Sequence, residues 1–357
     1  MKYWIPIAII GVLVAAIAAT FLLEPPPTQE SKAKQKERTK PTISVGSQAD
    51  SEAQPSALSL DSGTTSTPQK SVKELDVSGI PATPELEAYV DATRQQDANP
   101  PSPESYVIGL QIGDEAVAYP LEYFSASRRL FNDQVGGTKV AVLWDADSHT
   151  ALAFTRSNSR FTLLRDRWMD SIVAVDESTG SLWSPVAALG IRGQHSGNSL
   201  TLLPIIVTTW NKWQAAFPAT QVIAPPADSA TTAVTVAPPD QGAEFAVIVS
   251  DGAEATRVAF SELKTKGVIV ANQSKIILMF DPQTSTVHAF RNQLDGKAMR
   301  FSISDQLIVD QDTQSTWEPS TGRATTGPLA GKKLERLPAF LVKSDVWAKL
   351  SGSGQRP

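Results

Sequence analysis

The chain carries the same block of sequence twice. Leu143–Phe154 reads LWDADSHTALAF and Met279–Phe290 reads MFDPQTSTVHAF. They align without a gap: apolar, aromatic, Asp, a short polar turn, Thr, then an apolar end at Ala-Phe. Three further blocks recur in the same order. AVIVSDGAEATRVAF (Ala246–Phe260) answers the hairpin around GDEAVAYPL (Gly113–Leu121). STWEP (Ser315–Pro319) answers SLWSP (Ser181–Pro185), and SDVWAKL (Ser344–Leu350) answers TTWNKWQ (Thr208–Gln214). Order and spacing both hold, so a tandem repeat with a period of about 135 residues is expected. Two copies of one fold must obey the same local rules, and chemistry is to be sought where they differ.

Within the first unit the pattern is that of strands. VIGLQI, Gly113-Asp114 and EAVAYPL read as a hairpin closed on a Gly-Asp turn. Phe131–Gly137 (FNDQVGG) reads as loop and turn. Lys139–Trp144 is a buried strand, and Thr150–Thr155 is rich in β-formers. Thr83-Pro84-Glu85 has the form of an N-cap, a first-turn proline and a first-turn acid, which predicts a short helix to about Gln95. NKWQAAF predicts another, ending before Pro218. Helical periodicity is otherwise scarce. The expected fold is mainly β with small helices (α+β). Two tandem, related β-rich domains span 79–223 and 242–350, joined by a Pro/Ala/Thr linker at 224–241 and followed by a tail at 351–357.

The N-terminus has a different character. Tyr3–Leu23 is almost wholly apolar, and about 20 such residues span a bilayer core of about 30 Å. Lys2 ahead of it keeps the short end on the cytoplasmic side. Residues 1–23 are therefore expected to be a transmembrane anchor in a bacterial inner membrane, with the domains in the periplasm. Ala16-Ile17-Ala18 resembles a cleavage site, but the apolar run continues beyond it. Residues 24–78 are rich in Pro, Ser, Thr and Gln and read as a disordered tether.

The net charge of −5 lacks the basic balance of a nucleic-acid binder. Cysteine is absent, which removes disulfides, zinc–thiolate sites and thiol nucleophiles together.

The first unit resembles a bacterial family, domain of unknown function 3179. The resemblance rests on Gly79-Ile80-Pro81, VIGLQIGDEAVAYPL, FNDQVGG, SLWSP and TTWNKWQAAFPATQVI, and covers about Gly79–Ile223. The second unit is a fainter relative, clearest at GRATTGPLAGKKLERLPA (Gly322–Ala339). Many members carry Cys-Pro-Leu-Cys-Gly, or a selenocysteine form of it, before the Thr-Ala of the central strand, which implies thiol redox chemistry. Here that place holds Asp145-Ala146-Asp147-Ser148-His149, and Asp281-Pro282-Gln283-Thr284-Ser285 in the second copy. Members also tend to carry His-Glu where Arg128-Arg129 stands. A thiolate or selenolate is the nucleophile of such chemistry and neither Asp nor Ser replaces it. The resemblance therefore implies the framework without the redox site.

Two sets of residues remain as candidates. Asp145, Asp147 and His149 alternate, so on a strand they would share one face, where two carboxylates and an imidazole could hold a divalent cation. Arg156, Arg160, Arg165 and Arg167 make the first unit locally basic, and Arg165 and Arg167 with Arg128 and Arg129 could bind an acidic ligand or an anionic partner surface. Asp145 and Asp281, common to both copies, are read as ending their strands. His195 and His288 are isolated, and Ser184 lacks a nucleophile-elbow context. The expected function is a membrane-anchored binding or scaffold protein without catalysis or cofactor, with an envelope protein or the cell wall as partner. The alternative is a metal-binding protein or metal-dependent enzyme using Asp145, Asp147 and His149.

Overall fold

The computed structural model describes residues 76–94, 100–226, 244–252 and 254–352. The apolar segment Tyr3–Leu23 lies outside the described residues. So do the tether up to residue 75 and the linker from 227 to 241. Among the described residues no helix is long and apolar enough to cross a membrane.

The protein is mainly β with a few small helices. The first repeat runs β1 (Tyr106–Ile112), β2 (Glu115–Pro120), a 3₁₀ turn (Leu121–Tyr123), β3 (Leu130–Val135), β4 (Thr138–Asp145), β5 (Thr150–Thr155) and β6 (Phe161–Leu163). It continues through β7 (Ala174–Asp176), β8 (Leu182–Ser184), β9 (Leu189–Arg192), β10 (Leu202–Leu203), β11 (Ile206–Thr209), α1 (Trp210–Ala216) and β12 (Gln221–Val222). The second repeat runs β13 (Phe245–Ser250), β14 (Ala255–Ala259), α2 (Phe260–Lys266), β15 (Val268–Ala271), β16 (Ile276–Asp281) and β17 (Thr286–Arg291). A small extra hairpin, β18 (Gln293–Leu294) and β19 (Lys297–Ala298), follows. Then come β20 (Phe301–Ser304), β21 (Leu307–Asp310), β22 (Thr316–Glu318), β23 (Arg323–Ala324), β24 (Arg336–Leu337), β25 (Ala339–Lys343) and α3 (Ser344–Gly352).

The sheets replace one another between the copies. Order β11-β1-β2 in the first corresponds to β25-β13-β14 in the second. Order β10-β5-β4-β3 corresponds to β24-β17-β16-β15, and β6-β7-β8-β9 to β20-β21-β22-β23. The tandem repeat read from four sequence blocks thus extends to the whole unit. Register refines one block. Tyr106 pairs with Thr209 and Phe245 with Lys343, so Trp210 and Ser344 both open the terminal helix. Trp213 and Trp347 then occupy one position, two residues from where side-chain likeness aligned them. The end of the preceding strand, not composition, determines where each helix starts.

Two local expectations are corrected. Residues 83–94 do not form a helix. The segment is extended, with isolated bridges Leu86↔Leu164, Asp91↔Asn132 and Arg94↔Ile223. Its capping signal is overridden by sheet edges that need partners: Glu87 N–H donates to the Leu163 carbonyl, and Ala92 N–H to that of Asn132. Phe131–Val135 is strand β3 rather than loop, and only Gly136-Gly137 turn, both at positive φ.

A polar knot recurs in each repeat. Thr179 donates its N–H (2.8 Å) and hydroxyl (2.7 Å) to the Asp176 carboxylate, and Trp183 Nε1 donates to it at 3.2 Å. In the second copy Thr313 (2.7 and 2.8 Å) and Trp317 (3.2 Å) do the same to Asp310. This accounts for the matched Trp of SLWSP and STWEP. A buried indole N–H needs an acceptor, and the Asp seven residues earlier supplies it.

The described residues of the two repeats share a core and lie in one compact unit. Ala246, Ile248, Phe340, Val342, Val346, Trp347 and Leu350 of the second pack with Leu143, Leu152, Trp168 and Val173 of the first. The polar contacts between them are reciprocal. Thr150 Oγ1 donates to the Leu341 carbonyl at 2.8 Å, and Tyr106 Oη donates to the Thr284 carbonyl at 2.9 Å. Each copy's central hairpin turn is thus received by the other copy's first sheet.

Candidate functional site: an arginine-lined cleft

Asp145 ends β4 and is almost wholly buried, at 1% exposure. Its two oxygens accept from Arg129 Nη1 (3.2 Å), Arg167 Nη1 (3.0 Å), Arg167 Nη2 (2.8 Å) and the Ser148 hydroxyl. Four donors occupy the roughly four lone-pair directions that a carboxylate offers. Burial pushes the Asp145 carboxyl up. Hydrogen bonds from Arg167 and Ser148, with the charges of Arg167 and Arg129, outweigh it and hold the group below the ordinary carboxylate range. Arg129 is bound on its other edge by Glu87 (2.6 Å) and by the Leu164 carbonyl (2.9 Å). The extended segment at residues 83–94 therefore supplies the second acid of a Glu87–Arg129–Asp145–Arg167 chain whose first three members are buried.

Beside this chain lies a cleft of about 330 Å³. It is lined by the apolar Leu121, Phe124 and Trp144 and by Asp145, Arg129, Arg165 and Arg167. Ala126, Ala146 and Asp147 form an exposed rim. The Arg165 side chain is 58% exposed, with Glu85 at 3.6 Å. Asp147 is 81% exposed and meets Arg167 at 3.0 Å. Three of the four arginines singled out in the sequence thus converge on one cleft. The fourth does not: Arg128 is buried and donates from Nε to the Tyr123 carbonyl.

The acid–imidazole trio does not converge. Asp145 and Asp147 line the cleft, but His149 packs edge-on between Trp144 (6.2 Å between centroids) and Phe245 of the second repeat (5.6 Å). The alternation of these residues put them on one face of a strand, whereas the chain turns after Asp145. No group of three His, Asp or Glu residues among the described residues is placed to hold a metal ion. His149 has a φ of +51° and its counterpart Ser285 of +53°. The resemblance sets a glycine at this place, the residue for which left-handed backbone carries no strain.

In the second copy Asp281 keeps the structural role alone. It ends β16 and accepts from Thr284 Oγ1 (2.8 Å) and Gln283 N (3.0 Å). Its cation is Lys212 of α1, at 2.7 Å, reaching across from the first repeat. The reading of Asp145 and Asp281 as strand-ending residues therefore holds, and the two differ in the source of their counter-charge.

His288, on β17, is buried at 2% exposure between Thr286 Oγ1 (3.0 Å) and Arg336 Nη1 (3.3 Å). Burial, then the charges of Arg336 and Lys212, hold its pKa well below the ordinary histidine value. The folded state keeps it neutral while the unfolded chain binds a proton near pH 6.5. Unfolding therefore takes up a proton below that pH, and stability falls on acidification by up to about 1.4 kcal/mol per pH unit. Urea unfolding between pH 7.5 and 5.5 is expected to show this slope. His288→Gln should flatten it, and an unchanged slope in that variant would assign it to other groups.

Sequence reasoning did not find Glu87 or the apolar walls. Glu87 is 42 residues from Arg129 and sits in a segment whose local signals are helical. No pattern within either stretch points to the other.

Fold and cleft define a class: a mainly β protein of two fused, structurally matched repeats with an arginine-lined cleft in the first. A family model matches residues 78–233 and 253–355, one segment in each repeat, and describes a protein of unknown function (DUF3179). The chain belongs to this family. No curated protein and no solved structure matches it.

Proposed function

We propose that the protein is a non-catalytic binding protein whose ligand enters the Asp145–Arg167 cleft of the first repeat. The observation that carries this reading is the saturation of Asp145. A carboxylate already accepting four hydrogen bonds from Arg129, Arg167 and Ser148 has no lone pair left to act as base, nucleophile or ligand. What faces the cleft is apolar wall and guanidinium donors, chiefly Arg165, with the Asp147 carboxylate at the rim held by Arg167. That lining suits a small molecule with an acceptor end, such as a carboxylate or phosphate, on an apolar body. The apolar segment Tyr3–Leu23 is proposed as the membrane anchor, with the repeats on the periplasmic side, on the strength of its sequence.

The test is thermal unfolding of the full-length chain against small acids, amines and neutral aromatics. A ligand at 100 times its dissociation constant stabilises by about 2.7 kcal/mol. At least one class is expected to raise the midpoint, acids foremost. Ala126→Trp and Ala146→Trp, both on the exposed rim, should abolish the shift by filling the cleft without touching its ion pairs. No shift with any compound, or a shift that survives both variants, would remove the cleft as the site.

A further inference from the structure

The repeats differ at one sheet edge, and the first copy shows what such an edge accepts. In the first, β3 is the edge strand beside β4, and Asn132 presents its backbone outward. Asn132 N–H donates to the Val90 carbonyl at 2.8 Å, and its carbonyl accepts from Ala92 N–H at 2.7 Å. The segment at residues 85–94 thus runs along β3 as an extra strand, parallel at the Asp91↔Asn132 bridge. Further back it covers β6, where Leu163 is fully buried. Arg160 reinforces the contact, holding Asp91 of the segment (3.1 Å) and Glu177 of its own repeat (2.6 Å) together.

In the second repeat β15 is the edge strand beside β16. Register equates Val270 with Asn132, since Val270 pairs with Ile277 as Asn132 pairs with Ala141. Phe280 N–H donates to the Gly267 carbonyl, as Trp144 N–H does to that of Arg129. The alternation of an antiparallel ladder then turns the Val270 N–H and carbonyl outward, away from β16. Val270 is 40% exposed. Ile303, the counterpart of buried Leu163 by its place in β20, is 42% exposed, and Leu307 at the start of β21 is 53% exposed. Ile303 reaches the residue just before β15: a Cβ on Gly267 would lie 3.0 Å from its Cδ1. Arg300, counterpart of Arg160, is 69% exposed and pairs with Asp312 of its own repeat.

We propose that the β15 edge of the second repeat is a docking site for an extended peptide of a partner protein. That peptide is mainly apolar with acids four residues apart, as in Leu86-Glu87-Ala88-Tyr89-Val90-Asp91. Among the described residues nothing pairs with the outer side of β15, and an edge with exposed apolar side chains is a template for strand addition. The peptide runs parallel to β15 at Val270, receives its N–H, covers Ile303 and Leu307, and places an acid at Arg300. Arg160 holds two carboxylates at once, so the pair with Asp312 leaves Arg300 able to take a second.

The probe is a labelled peptide of this chain's own Glu85–Arg94 sequence, ELEAYVDATR, titrated into the full-length chain by fluorescence anisotropy. Saturable binding is expected. Val270→Pro should weaken it at least tenfold, because it deletes the outward N–H on an edge strand, where proline is tolerated. Arg300→Glu should weaken it and reduce its salt dependence, while Ala146→Trp at the cleft should leave it unchanged. Absence of binding up to about 1 mM, a range that still covers weak complexes of about −4 kcal/mol, would overturn the proposal. So would binding indifferent to Val270→Pro and Arg300→Glu. Self-association of the chain that Val270→Pro abolishes would place a second copy at the edge and overturn it equally.

Discussion

Arg129→Met is expected to destabilise the protein by about 3–5 kcal/mol, the range found when one member of a buried ion pair is removed. The magnitude follows from what is left behind. The Glu87 side chain is 2% exposed and that of Asp145 is 1% exposed. Both need a cation, and Arg129 reaches both from one guanidinium while also donating to the Leu164 carbonyl. Arg167 remains to neutralise Asp145, but Glu87 is left a buried charge with no lysine or arginine bonded to it among the described residues. The measurement is urea unfolding of the full-length chain. The double variant Arg129→Met/Glu87→Gln should recover part of the loss, since it removes the stranded charge. No recovery would mean that the loss came from packing alone.

Trp347→Ala is the second large effect, about 3–5 kcal/mol for deleting a buried tryptophan. Trp347 is 6% exposed and belongs, with Val346 and Leu350, to the cluster that includes Ile80, Trp168 and Val173 of the first repeat. The cavity would open between the copies, not within one. The described residues are therefore expected to unfold in a single transition, in the variant as in the parent, at a lower midpoint. Trp213 is the control: it holds the same position in the first copy but packs in a cluster of first-repeat residues only, with Val107, Ala118 and Trp210. Two separated transitions in Trp347→Ala, with the first repeat unaffected, would show that the shared core does not couple the copies.

The two repeats are legible in the sequence unevenly. Blocks with strong local chemistry were legible. Gly113-Asp114 closes a hairpin because the turn needs such residues, and Trp183 and Trp317 repeat because each needs its Asp. The arginine cleft was half legible. Arg165 and Arg167 lie close together in sequence, but nothing local says that Arg167 meets Arg129 at Asp145. Arg128, adjacent to Arg129, closes the turn at Ser125 ahead of β3 and donates to the Tyr123 carbonyl instead.

The sequence by itself determined the doubling, the β character, the absence of thiol chemistry, and the role of Asp145 and Asp281 at strand ends. These rest on residue identity and on periods of a few residues, which a linear reading resolves. Only the tertiary structure decided that residues 83–94 form an edge strand rather than a helix, that Glu87 completes the charge chain, that His149 leaves the acids to pack against Phe245, and that no described residue pairs with the outer side of Val270 where Asn132 is covered. Each of these turns on a partner from a distant part of the chain. Sheet edges and buried charges take whatever partner the fold brings to them, and local propensity, worth tenths of a kcal/mol per residue, gives way to an unpaired buried group that costs several times more.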